Sequence, residues 1–88
     1  MADTFLLEVA TPERLFVREK VSEAQIPAAG GYVGILPGHA ALVSALGAGV
    51  LSYVCDGRLR SLRVEGGWLE VFNDHARVLA DSAEKPPD

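Results

Sequence analysis

Phe5, Leu7 and Val9 alternate with Leu6, Glu8 and Ala10, and this two-residue period marks a strand with one covered face. Thr11-Pro12 ends the run, because proline has no N–H for a ladder. The period returns in Arg14–Lys20, where Leu15 and Val17 face away from Arg14, Phe16 and Arg18. In Val21–Pro27, Ala24 and Ile26 oppose Glu23 and Gln25. Ala28–Gly31 reads as a turn, and Tyr32–Ile35 as a short extended piece.

The second half holds the clearest hairpin. Val50–Cys55 and Arg58–Val64 flank Asp56-Gly57, a pair suited to the positive φ angles of a type I′ turn. Arg58, Arg60, Leu62 and Val64 share a face by parity, so this strand runs from a solvated rim into the core. Gly66-Gly67 predicts a bend. Trp68–Phe72 and Ala76–Ala80 predict a second hairpin closed by Asn73-Asp74. Ala40–Leu46 is the one short stretch compatible with a helical period. Eight to ten short strands punctuated by glycine and proline predict an all-β sandwich or barrel, with no internal repeat and no linker.

Composition narrows the function. Eighty-eight residues make one domain, and 49% hydrophobic with 23% charged is the globular range. Aromatic residues are 7%, so the core is expected to be Val, Leu, Ile and Ala. A net charge of −4 disfavours nucleic acid and anionic lipid. The one cysteine, Cys55, permits no intrachain disulfide. No apolar run approaches the roughly 20 residues of a membrane span. The N-terminal stretch carries Asp3 and Glu8 where a signal peptide would be basic. A cytoplasmic protein, meeting membranes only through partners, is expected.

Catalytic chemistry finds no foothold. His39, His75 and Cys55 are too few and too scattered for a metal site, which needs three or four converging ligands. His75 reads as a polar strand-edge residue. Ser44 and His39 share a loop but no Gly-x-Ser-x-Gly elbow exists. Gly47-Ala48-Gly49 precedes no helix, so turn geometry rather than phosphate binding accounts for its glycines. Glu65 and Glu70 flank the Gly66-Gly67 bend with nothing to desolvate them. Arg58, Arg60 and Arg63 read as a solvated rim. No catalytic residue, metal or cofactor is expected.

One segment is anomalous. Leu36 to Leu46 is uncharged, whereas loops are usually polar. Two readings stand: a loop tucked over one end of the sandwich, or an exposed apolar patch that binds a protein.

At this segment the chain resembles a known family. Gly34-Ile35-Leu36-Pro37-Gly38-His39-Ala40-Ala41-Leu42-Val43 is similar to the Gly-[ILV]-x-Pro-Gly-His-Ala-Pro-Leu signature of F-type ATP synthase epsilon subunits, called delta in mitochondria. Phe5–Glu13 resembles that family's opening strand and Ser/Thr-Pro-Glu turn. Gly47–Leu51 resembles its x-x-Gly-x-[IVL] step, Glu65–Val71 its Gly-Gly-[FIW]-x-Glu-Val hairpin, and Val78–Ala83 its closing strand. These blocks run in order across nearly the whole chain.

The resemblance implies a flattened antiparallel β-sandwich of about ten short strands over residues 1–83. A flexible tail over 84–88 stands where most bacterial relatives continue into two helices. It implies a non-catalytic rotor subunit that couples the membrane c-ring to the gamma shaft, and through it the catalytic head. By motif position, Pro37, Gly38, His39, Leu42 and Ser44 are expected to face gamma. Ala29, Gly30, Gly31 and Tyr32 are expected to face the c-ring loops. Relatives often carry acidic residues in that second turn; here Tyr32 is the expected contact. Ala41 replaces a proline common in relatives. The expected location is peripheral, on the cytoplasmic face of the bacterial inner membrane. The alternatives are an unrelated β-sandwich adaptor and a small-ligand enzyme on a cupin-like sandwich.

Overall fold

The apolar periods condense into eight strands: β1 Phe5–Ala10, β2 Leu15–Val21, β3 Glu23–Ala28, β4 Gly31–Ile35, β5 Leu42–Ala45, β6 Ala48–Cys55, β7 Arg58–Val71 and β8 His75–Glu84. The computed structural model describes residues 3–86, so Pro87 and Asp88 of the expected tail lie outside the described residues. The remainder of that tail begins inside β8, where Glu84 pairs with Arg63. The stretch Ala40–Leu46 is extended rather than helical, because β5 finds a ladder partner in β7.

All strands belong to one sheet, ordered β2-β1-β8-β7-β6-β3-β4, with β5 also on β7. The sheet becomes two layers because β7 and β8 cross between them. At Gly66 and Gly67, with φ of 68° and 110°, the ladder to β8 skips one pair. The inward parity switches there: Leu62 and Val64 are buried before the kink, and Leu69 and Val71 after it. β8 does the same, passing from buried Ala76, Val78 and Ala80 to Ala83, which packs on the core. Counting each long strand on either side of its kink turns eight strands into the expected ten.

One pairing departs from the antiparallel expectation: β1 runs parallel to β8. The two strands come from opposite ends of the chain, so no hairpin dictates their direction. A second departure is Leu15. A bulge at Phe16, opposite Val9/Ala10, breaks the alternation and leaves Leu15 exposed while Val17 is buried.

The core between the layers is aliphatic apart from Phe5 and Tyr53. Leu7, Val9, Ile26, Leu51, Leu69 and Val78 are fully enclosed. The arginine rim is as expected: Arg58 and Arg60 are exposed at the end of β7 whose next inward residues are Leu62 and Val64. Both predicted two-residue turns form. Asp56 and Gly57 have φ of 52° and 76°, and Asn73 and Asp74 have 48° and 58°, the type I′ signature.

Candidate interaction surface

Outward-facing residues of β5, β7, β8, β1 and β2 form three rows across the sheet. The first row is apolar: Ala45 pairs with Trp68, Trp68 with Leu79, Leu79 with Ala10, and Ala10 with Leu15. Trp68 is 56% exposed and Leu79 42%, although aromatic and leucine side chains favour burial. An open cleft of about 500 Å³ lies along this row, walled by Ala10, Pro12, Trp68 and Leu79.

The second row alternates in charge. Val43 stands beside Glu70, Glu70 beside Arg77, Arg77 beside Glu8, and Glu8 beside Arg18. Glu8 is the hub. Its carboxylate lies 3.7 Å from Arg18 Nε, 3.9 Å from Arg77 Nε and 2.5 Å from His75 Nε2. His75, read from sequence as a strand-edge polar residue, is therefore part of a cross-strand cluster.

The third row ends in Phe72, 65% exposed, and the Pro-Gly-His loop beside it. Part of that loop's apolar surface is open to solvent. Leu36 is 59% exposed and Val43 70%, and Ala40 and Ala41 are exposed as well. Parity sorts the candidate residues. Leu42 and Ser44 are half-buried, with Leu42 packed on the core, whereas Val43 and Ala45 face outward. Pro37 and His39 are half-buried, and His39 Nδ1 lies 2.7 Å from the Ala40 carbonyl. Ser44 Oγ donates to the Ala45 carbonyl at 3.0 Å. The outward-facing Val43, Trp68, Leu79 and Ala10 lie outside the positions that motif spacing singled out. For Trp68 and Leu79 the available signal was the near-continuous apolar run through Trp68–Phe72 and Val78–Ala80, which in a sheet marks strands covered on both faces.

The turn after β3 forms a second exposed element, with Ala29, Gly30, Gly31 and Tyr32 all open to solvent. Tyr32 is 57% exposed, yet its hydroxyl has an internal role and accepts the Val50 N–H at 3.0 Å. β3 pairs with β6 only as far as Gln25–Ser52, so the Val50 amide lies beyond that ladder. Gly49 is what admits the phenol, since a Cβ there would collide with the Tyr32 hydroxyl. Its φ is not positive, so close approach explains this glycine and turn geometry does not.

Among the described residues no cluster of three or more His, Cys, Asp or Glu side chains could hold a metal ion. Cys55 is half-buried; a hydrogen bond to the Glu19 carboxylate, with burial second, raises the thiol pKa. The thiol therefore stays protonated at neutral pH, the opposite of an activated nucleophile. His39 and Ser44 each bond to a neighbouring backbone carbonyl, and neither is bonded to the other.

Comparison with known proteins gives a consistent result. The family described as "ATP synthase, Delta/Epsilon chain, beta-sandwich domain" matches residues 4–86. The chain is 60% identical, over 97% of its length, to the ATP synthase epsilon chain of Solibacter usitatus, and 43% identical over its full length to that of Koribacter versatilis. It spans 63% and 62% of those two relatives. Among solved structures it is similar to a chain of the Euglena gracilis mitochondrial ATP synthase OSCP/F1/c-ring, with a TM-score of 0.88 at 20% identity, covering 97% of this chain and 55% of that one. A chain of the Tetrahymena thermophila mitochondrial ATP synthase central stalk/c-ring gives a TM-score of 0.77 at 14% identity, covering 91% of this chain and 65% of that one. At those identities the two structural likenesses speak for the fold.

Proposed function

The chain belongs to the ATP synthase delta/epsilon β-sandwich family, and from that premise we propose that it is a non-catalytic rotor part of a bacterial F-type ATP synthase. It joins the gamma shaft to the c-ring, so that the two turn together as protons drive the ring. It sits peripherally on the cytoplasmic face of the membrane, held there by those partners.

The outer face of β5, β7, β8 and β1, together with the Pro37–Ser44 loop, is the gamma-facing surface. The observation that carries this reading is that an uncharged, exposed loop adjoins an exposed Trp68–Leu79 row in a protein with a complete core of its own. Exposed aromatic side chains such as Trp68 and Phe72 are of the kind enriched at interfaces, and the charged Glu70–Arg77–Glu8 row runs between them. The Ala29–Tyr32 turn is the c-ring-facing element. Its neutral backbone and phenol suit polar loops without demanding a basic partner.

Torque needs a stiff path between these surfaces, and the backbone supports one. Ala29 N–H donates to the Ala45 carbonyl at 3.0 Å, and Gly47 N–H to the Pro27 carbonyl at 2.9 Å. Leu46 N–H donates to the Gly67 carbonyl at 2.9 Å. The exposed turn is thus bonded to the end of β5, and β5 to the kink that carries Trp68. Such bonds, inside a closed core, leave few soft modes along the path.

Titrating the purified chain with gamma, by calorimetry, tests the proposal. Binding at micromolar concentration or tighter, abolished by Val43→Asp, is the expected result. An absence of binding overturns it.

A further inference from the structure

The Pro-Gly turn is held from outside itself. His39 N–H donates to the Leu36 carbonyl at 3.1 Å, closing a β-turn with Pro37 and Gly38 at its centre. Gly38 has a φ of 83°, so the turn is type II. Types I and II differ by a flip of the central peptide, here Pro37–Gly38. The Pro-Gly pair favours type II, but the closing hydrogen bond leaves the N–H of that peptide free, so nothing within the turn anchors it.

Asp74 supplies the missing restraint. Its Oδ1 accepts the Gly38 N–H at 2.6 Å, across 36 residues of sequence. The carboxylate is aimed by a well-defined turn: Phe72 and His75 exchange backbone bonds of 2.9 and 3.0 Å around Asn73-Asp74. Turn geometry alone would place glycine at position 74, where φ is 58°. Aspartate tolerates this left-handed conformation, and here its side chain is also engaged across the fold. With the peptide trans, fixing the N–H toward Asp74 also directs the Pro37 carbonyl away from it.

We propose that Asp74 is a positioning residue that locks the Pro37–Gly38 peptide in its type II orientation and so presents the 37–41 loop to the partner in a single shape. This rests on the reading of that loop as a gamma-facing surface. A charge-assisted bond to an amide is strong enough to choose between two turn types that proline and glycine both tolerate.

Asp74→Gly separates the latch from the turn, because glycine suits this position of a type I′ turn while offering no acceptor. In the isolated variant the Gly38 amide resonance is expected to shift upfield and exchange faster with solvent, with no loss of thermal stability. Affinity for gamma is expected to fall about tenfold, the equivalent of one charge-assisted hydrogen bond. Asp74→Asn, which keeps an acceptor oxygen, is expected to restore most of both. A Gly38 amide that ignores Asp74→Gly overturns the latch. A shifted amide with undiminished gamma affinity overturns the positioning role. A wild-type chain that does not bind gamma overturns the partner reading, and the positioning role with it, while the amide measurement still reports on the latch.

Discussion

The two faces of β7 and β8 beyond the kink share one backbone and have opposite fates. Inward, Leu69, Val71, Ala76, Val78 and Ala80 are buried in an aliphatic core. Outward, Trp68, Phe72 and Leu79 are 56%, 65% and 42% exposed, beside the charged Glu70 and Arg77. Before the kink, the outward face of β7 carries Leu59, Ser61, Arg63 and Glu65, a more ordinary solvated surface. The contrast teaches that hydrophobicity in this domain has two jobs. One face holds the monomer together; the other exposes apolar side chains beyond any need of the monomer, which is what the proposed gamma contact would cover.

Substitutions can break that division. Leu69→Ala on the inner face is expected to lower unfolding free energy by about 3 kcal/mol, through lost burial and a residual cavity. Denaturant titration checks this, and the folded fraction should still bind gamma normally. Leu42 straddles the two faces, since it packs on the core at the margin of the loop. Leu42→Asp is expected to cost about 2 kcal/mol in stability as well as weakening gamma binding, because a charge replaces a half-buried apolar group. The neighbouring Val43→Asp should leave stability within about 0.5 kcal/mol and affect only binding. Equal effects of the two on unfolding would erase the parity distinction.

Trp68→Ala sharpens the comparison from the outer side. A central aromatic anchor is worth about 2 kcal/mol in binding, read by calorimetry with gamma. A large Tm drop without gamma would instead make Trp68 a core residue. Tyr32→Phe is the smallest: losing the bond to the exposed Val50 amide should cost about 0.5 kcal/mol, visible in denaturant midpoint.

Much of this was legible in the sequence because strand parity is local. Phe5, Leu7 and Val9 were assignable to the core from spacing alone, and so were the Asp56-Gly57 and Asn73-Asp74 turns, whose residue types tolerate positive φ. The apolar Leu36–Leu46 segment was conspicuous, but its exposure was open. Leu15 was misplaced because a bulge at Phe16 shifts parity without any sequence mark. Motif position points to Leu42 and Ser44, and only the pairing of β5 with β7 shows that Val43 faces outward.

The sequence by itself determined most strand positions and inward residues, the two tight hairpin turns and the family, since each follows from the period of side chains along one segment or from residues close in the chain. The tertiary structure alone decided that β1 lies parallel to β8, that Trp68, Leu79 and Ala10 align in one outward-facing row, that Tyr32 caps Val50 across Gly49, and that Asp74 grips Gly38. Those facts depend on cross-strand register between segments tens of residues apart. A one-residue slip would send every side chain to the other face, and no local pattern records which register the packed core selects.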